Sequence, residues 1–182
     1  MTEIDVRKER LVQVLSTSVG TNEVSVVDVG CGDCRYYDVL TRYLKVSEYL
    51  GIDRSPRCGD KPTISVDLEV VKPEMYSEYF NRYDIAVMFD ILEHITNYGL
   101  LLDFVNALLK KNGYALISTI AIPIDNIRDA IERDIDHVHL YTPTLLSRAL
   151  SRHGFAVMYT YQDHEILYAI ARKVLNTINS SH

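Results

Sequence analysis

Apolar positions recur along this chain with two periods, and the order in which those periods alternate predicts its architecture. From Ile4 to Leu15, the residues Ile4, Leu11, Val14 and Leu15 fall at helical spacing with charged residues between them, which predicts an amphipathic leading helix within residues 1–20. Val24–Val29 is a short β-branched run that stops at a glycine, and Tyr36, Val39, Leu40 and Tyr43 then return to helical spacing, so this stretch reads as strand, loop and helix. Tyr49–Ile52 and Thr63–Val66 read as two further buried strands, each closing on an aspartate, Asp53 and Asp67. Ile85–Phe89 predicts a fourth strand. A helix is expected from Tyr98 to Lys111, stopped by Asn112-Gly113 ahead of a fifth strand, Tyr114–Ile120. Thr142 and Pro143 supply the cap and first position of another helix, and Gly154 its terminating left-handed residue. Phe155–Tyr161 and Glu165–Arg172 are too close in sequence for a parallel crossover, so the chain should close with an antiparallel hairpin within residues 155–173.

Strands alternating with helices, followed by one hairpin, predict an α/β fold: a doubly wound, mostly parallel sheet with helices on both faces. A chain of 182 residues buries roughly 70% of its unfolded surface, enough for one such core, so residues 1–182 are expected to form a single domain. Ligands bind such sheets at the strand C-termini near the topological switch point. The loop Asp28–Cys34, Asp53 and Asp67 are all placed on that edge.

Composition narrows the partners. With 47% hydrophobic and 24% charged residues, and no apolar run near the roughly 20 residues of a membrane span, the chain reads as a globular protein. Its first ten residues lack the apolar core of a signal peptide, which points to the cytoplasm. A net charge of -6 disfavours a nucleic-acid partner, because counterion release needs clustered Lys and Arg. Three cysteines, Cys31, Cys34 and Cys58, make neither an even disulfide framework nor a four-ligand zinc pattern and are expected to be reduced thiols.

Gly30 and Gly32 stand where a strand ends and a helix opens, a place where backbone can approach a ligand. A dinucleotide fingerprint needs a third glycine at the position occupied by Arg35, which argues against NAD or FAD. Asp28, in front of the glycines, suits a ligand carrying an ammonium and a sulfonium better than a pyrophosphate. Here the residues resemble the class I S-adenosylmethionine-dependent methyltransferases. Asp28, Gly30, Gly32 and Asp53 match that family's acidic, glycine-rich first motif and its ribose acid, with Cys34 standing at the third glycine. Val66-Asp67-Leu68, the run Tyr83–His94, Leu108–Tyr114 and His137–Pro143 extend the resemblance over nearly the whole chain, towards the small-molecule and ubiquinone-type branch. The resemblance implies a seven-stranded sheet of order 3-2-1-4-5-7-6 with the last strand antiparallel, and S-adenosylmethionine as cofactor. It further implies that Gly30 and Gly32 pass under the methionine portion and that Asp53 holds the ribose hydroxyls. Asp67 and Leu68 would hold adenine, and Phe89 would offer its carbonyl to the methionine ammonium.

Methyl transfer is an in-line displacement that depends chiefly on alignment, so few catalytic groups are needed. For a hydroxyl acceptor a histidine is the natural base, and the candidates are His94, oriented by Glu93, and His139. Asp90 and Glu93 also fit a capping box, and Asp90, Glu93 and His94, at i, i+3 and i+4, would share a helical face able to hold a divalent ion; no metal is assigned. Residues 124–136 are expected to act as a lid over the acceptor. A methyltransferase-like binding subunit without activity is the alternative function, and a nucleotide-dependent oxidoreductase, disfavoured by Arg35, is a third.

Overall fold

β1 (Glu23–Val29) is buried on both sides along Val24–Val29, so it cannot be an edge strand, and the rest of the molecule is built outward from it. The computed structural model describes residues 3–122 and 136–177. To one side of β1 lie β2 (Lys45–Asp53) and β3 (Thr63–Ser65); to the other lie β4 (Tyr83–Phe89) and β5 (Leu109–Ile120), then β7 (Ile166–Lys173) and β6 (Phe155–Asp163), giving the order β3-β2-β1-β4-β5-β7-β6. The pairings from β3 through β5 are parallel, and β7 is antiparallel to both of its neighbours. This is the sheet the resemblance implies. The chain leaves β1 outward to β3 and returns to β4, so the switch point lies between β1 and β4, where the loop after Val29 emerges.

Helices cover both faces. α1 (Glu3–Val19) and α2 (Tyr37–Tyr43) bury Leu11, Val12, Leu15 and Leu40 against Val24, Val26, Ile85 and Val87. On the opposite face α3 (Tyr98–Leu108), α4 (Pro143–Arg152) and a 3-10 segment, Pro73–Tyr79, cover Val27, Val29, Ala86 and Met88. Each such buried Val, Leu, Ile or Met side chain contributes roughly 1.5–3 kcal/mol. α4 starts and stops as its sequence predicts: Thr142 Oγ1 accepts the Leu145 N–H at 3.1 Å, and Gly154 follows the last turn at a φ of +79°. No helix among the described residues is long and apolar enough to cross a membrane.

The expected helix to Lys111 ends earlier. α3 stops at Leu108, and β5 begins at Leu109, opposite Tyr83. Pairing resumes with Tyr114 opposite Ile85, so residues 110–113 bulge out across from Asp84. Asn112, at a φ of +66°, makes that bulge instead of a helix cap. Two interactions hold the earlier boundary: the buried Lys173 ammonium donates to the carbonyls of Asn106 at 2.6 Å and Leu109 at 2.7 Å, and Lys110 reaches back to Asp84 at 2.8 Å. The segment expected to form a lid falls almost wholly outside the described residues.

Candidate active site

The loop after β1 is fastened to the end of β2. The N–H groups of Gly30 and Cys31 both donate to the Ile52 carbonyl, at 2.7 and 3.1 Å. Gly30 adopts a φ of +79°, and a Cβ there would meet the Ile91 side chain at 3.0 Å, so glycine serves both conformation and close approach. The Gly32 N–H donates to Asp53 Oδ2 at 3.0 Å, while Asp53 Oδ1 accepts the Ser55 N–H at 2.8 Å. Asp53 therefore orders the glycine loop.

Cys34, at the third-glycine position, takes up a φ of +58°. It is joined by a disulfide to Cys58, with a Cα–Cα distance of 5.1 Å, and only Cys31 is a free thiol. The expectation of three reduced thiols is thus corrected. Residue spacing along the chain could not reveal that the segment after β2 folds back onto the glycine loop, where the Arg57 N–H donates to the Gly32 carbonyl at 2.8 Å.

Beside this loop lies a cavity of about 330 Å³, lined by Asp53 at the end of β2 and Arg54 just past it, Asp67, Leu68 and Glu69 after β3, and Ile91, His94 and Ile95 after β4. Its walls at Leu68, Ile91 and Ile95 are apolar, and its carboxylates stand at the ends of adjacent strands. The Glu69 carboxylate accepts the Thr96 N–H at 3.0 Å, which ties two of the lining segments together. Asp53, Asp67, Leu68 and His94 are so brought to one place. An apolar slot flanked by acceptor oxygens fits the adenosine portion of the implied cofactor.

Asp28 and Phe89 do not line that cavity. The Asp28 carboxyl is buried beneath the loop, where it accepts the Tyr49 hydroxyl at 2.9 Å, and burial pushes its pKa up from 3.8 to about 7. A carboxyl raised in the folded state contributes stability that is complete below about pH 4 and is lost as the pH rises through about 7. An Asp28→Asn variant, which keeps an acceptor for Tyr49, is accordingly expected to unfold at a higher temperature than the parent at pH 8 and at the same temperature at pH 4. The gain at pH 8 should be about 2 kcal/mol, below the ceiling of roughly 4 kcal/mol that such a shift sets, because an ionised group draws water to itself. Equal unfolding at both pH values would show that Asp28 is not strained by its burial.

Phe89 packs edge-on against Tyr36 with centroids 5.0 Å apart. Over both rings lies the ammonium of Lys8, 5.1 Å from the Tyr36 centroid and 5.7 Å from that of Phe89. It donates to the Tyr36 hydroxyl at 2.9 Å and forms an ion pair with the Asp90 carboxylate. Lys8 is 1% exposed. Its signal in the sequence is its place at helical spacing with Leu11 and Leu15, since a lone charge in an apolar stripe calls for a buried partner.

The stretch after β4 is a series of turns, not a helix. Asp90 takes a φ of +54° and points to Lys8 and to Ser118, whose hydroxyl donates to it at 2.7 Å. Asp90, Glu93 and His94 therefore do not share a helical face, and neither the capping box nor that metal-ligand set forms. The cap of α3 is Asn97, which accepts the Leu100 N–H at 3.2 Å. Glu93 is buried, its carboxylate accepting the Thr119 hydroxyl at 2.8 Å, and burial raises its pKa. Its carboxylate and ring nitrogens of His94 and His137 lie within 4.8 Å of one another, a set able to hold a cation. The His94 and His137 rings are 4.8 Å apart by centroid, and His94 Nδ1 is 3.2 Å from the Asp136 carbonyl. His139 turns elsewhere, with Nε2 3.1 Å from the Thr96 carbonyl and its ring against Tyr98. Of the two histidines foreseen as bases, His94 alone borders the cavity.

Comparisons with known proteins bear on the family and the fold. The family model described as a methyltransferase domain matches residues 4–160. A ubiquinone biosynthesis O-methyltransferase of Pelagibacter ubique is 24% identical over 123 residues, covering 62% of this chain and 50% of that protein. The chain spans about half the length, or less, of the curated relatives it matches. Among solved structures, an S-adenosylmethionine-dependent methyltransferase from Mesorhizobium loti superposes with a TM-score of 0.67 at 18% identity, covering 87% of this chain and 96% of the other. The Burkholderia thailandensis 1,6-didemethyltoxoflavin-N1-methyltransferase, solved with its namesake compound and S-adenosylhomocysteine, gives 0.68 at 17% identity, covering 92% and 79%.

Proposed function

The chain belongs to the methyltransferase-domain family, and from that premise we propose that it transfers a methyl group from S-adenosylmethionine to a small-molecule acceptor. The observation that carries the reading is the cavity in which Asp53 and Asp67, at the ends of two neighbouring strands, flank an apolar slot beside the glycine loop. Bound there, S-adenosylmethionine supplies an electrophilic methyl group on a sulfonium. Asp53 accepts hydrogen bonds from the ribose hydroxyls while it keeps Gly32 in place. Asp67 accepts from the adenine amino group, and Leu68 packs on the ring. Gly30 and Gly32 let the backbone pass under the methionine portion, and the Phe89 carbonyl accepts from its ammonium. His94, at the cavity mouth, takes the proton of a hydroxyl acceptor, and buried Glu93 positions it. The ubiquinone-pathway relatives, named as O-methyltransferases, support oxygen as the methylated atom.

Thermal unfolding in the presence of S-adenosylhomocysteine, S-adenosylmethionine or NAD tests the cofactor. At a concentration near a hundred times its dissociation constant, a ligand that binds only the folded state adds about 2.7 kcal/mol, or roughly 5–10 °C in a chain of this size. Both adenosyl ligands are expected to give that shift and NAD none. A shift with NAD alone would overturn the reading.

A further inference from the structure

Three sulfur atoms meet beneath the glycine loop, and no step of the proposed methyl transfer uses them. The sulfurs of Cys31, Cys34 and Cys58 lie within 4.8 Å of one another, all three residues are buried, and Cys31 Sγ is 3.7 Å from Cys58 Sγ. Space for them is made from below by Gly51 of β2, where a Cβ would meet Cys31 Sγ at 2.8 Å and Cys34 Sγ at 3.3 Å. The bonded pair, Cys34 and Cys58, joins the two segments that carry the ribose acid's contacts. Cys34 follows Gly32, which donates to Asp53, and Cys58 follows Ser55, which donates to the other Asp53 oxygen.

We propose that the Cys34–Cys58 pair is a thiol–disulfide exchange site, served by a dithiol reductant, whose oxidation state sets how tightly the glycine loop holds its ligand. The inference builds on the reading that this loop carries the adenosyl cofactor. Cys34 occupies the left-handed region at a φ of +58°, which glycine enters freely and a residue with a Cβ does not. The disulfide holds it there and so preorganises the loop; once the bond opens, Cys34 is free to leave that conformation, and the turn bonds Cys34 N–H to Cys31 O at 2.8 Å and Tyr37 N–H to Cys34 O at 3.0 Å go with it. Cys58 is the point of attack: it is 6% exposed against 3% for Cys34, and it lies in residues 54–62, between β2 and β3 and outside any regular element, where a local opening uncovers it.

In the exchange, a thiolate of the dithiol attacks Cys58 Sγ, the bond to Cys34 breaks, and Cys34 leaves as a thiolate that takes up a proton. The reductant's second thiol, losing its proton, then attacks the reductant sulfur of the mixed disulfide, and Cys58 is released and protonated. The protein gains two electrons and two protons, and the dithiol departs as a disulfide. The reverse exchange with that disulfide closes the pair again. Cys31 takes no part: burial and the neighbouring Asp28 and Asp53 push its thiol up to about 12, so it remains protonated and does not scramble the pairing.

The test uses the full chain, treated either with an oxidised dithiol or with dithiothreitol. Alkylation after unfolding is expected to label one cysteine in the oxidised form and three in the reduced form, as one disulfide and one free thiol require. S-adenosylhomocysteine should bind about tenfold more weakly to the reduced form. Cys58→Ser should bind like the reduced form whatever the treatment, Cys31→Ser should keep the redox response, and Cys34→Gly should bind tightly in both states, because glycine restores the left-handed turn without the bond. Three labelled cysteines after oxidation, or one affinity in both forms of the parent, would overturn the proposal and leave the cofactor reading standing. If S-adenosylhomocysteine binds neither form, the cofactor reading fails. The exchange site is then decided by amide hydrogen exchange of residues 30–37, which must quicken on reduction; unchanged exchange overturns it.

Discussion

Replacing Asp53 by alanine is expected to weaken S-adenosylhomocysteine binding about a hundredfold, the sum of two losses that fall on one carboxylate. In the proposed complex Asp53 accepts from the ligand's hydroxyls, and a hydrogen bond to a charged group is worth about 1.5–3 kcal/mol, which at roughly 1.4 kcal/mol per decade is already tenfold or more. The same carboxylate holds the Gly32 N–H and the Ser55 N–H, so its removal also frees the loop that must close on the ligand. Asp53→Asn keeps one acceptor oxygen and should lose only about tenfold. Calorimetric titration checks both variants. A loss under threefold for Asp53→Ala would remove the ribose role.

His94→Ala is expected to lower turnover about a hundredfold or more while changing S-adenosylhomocysteine affinity by less than threefold, the pattern of a residue that acts on the acceptor's proton. The measurement needs the acceptor that takes up most label from methyl-labelled cofactor. His139→Ala serves as the contrast: its ring is committed to the Thr96 carbonyl and Tyr98, and its loss should cost turnover less than fivefold. Glu93→Gln removes the charge beside His94 but keeps the acceptor for Thr119, so it should shift the pH dependence of turnover more than its maximum. If His94→Ala turns over at the parent rate, catalysis is by alignment alone.

The sheet was readable because its signals are local and agree with one another: β-branched runs ending at glycine or aspartate, helical spacing between them, and a hairpin too short to cross over. Asp53, Asp67 and Leu68 were readable for the same reason, since a strand's end puts its last side chains at the shared edge whatever else happens. What was misread depended on partners distant in sequence. Asn112-Gly113 serves a helix stop and a bulge equally well, and Lys173, some sixty residues on, takes part in the choice. Asp90, Glu93 and His94 looked like one helical face, but Asp90 answers to Lys8 and Ser118 and Glu93 to Thr119. The disulfide was missed because pairing depends on a fold-back that no spacing encodes.

The segments on either side of residues 123–135 meet at a narrow neck. The Ile122 N–H donates to the Tyr141 carbonyl at 2.8 Å, the Tyr141 N–H to the Ile120 carbonyl at 3.1 Å, and the Val138 N–H to the Glu93 carbonyl at 2.8 Å. These are backbone bonds, which any residue but proline can make at the donor positions. The backbone beside His94 and His137 is thus held to the end of the sheet by main-chain bonds, so changes of side chain there leave the path of the chain in place.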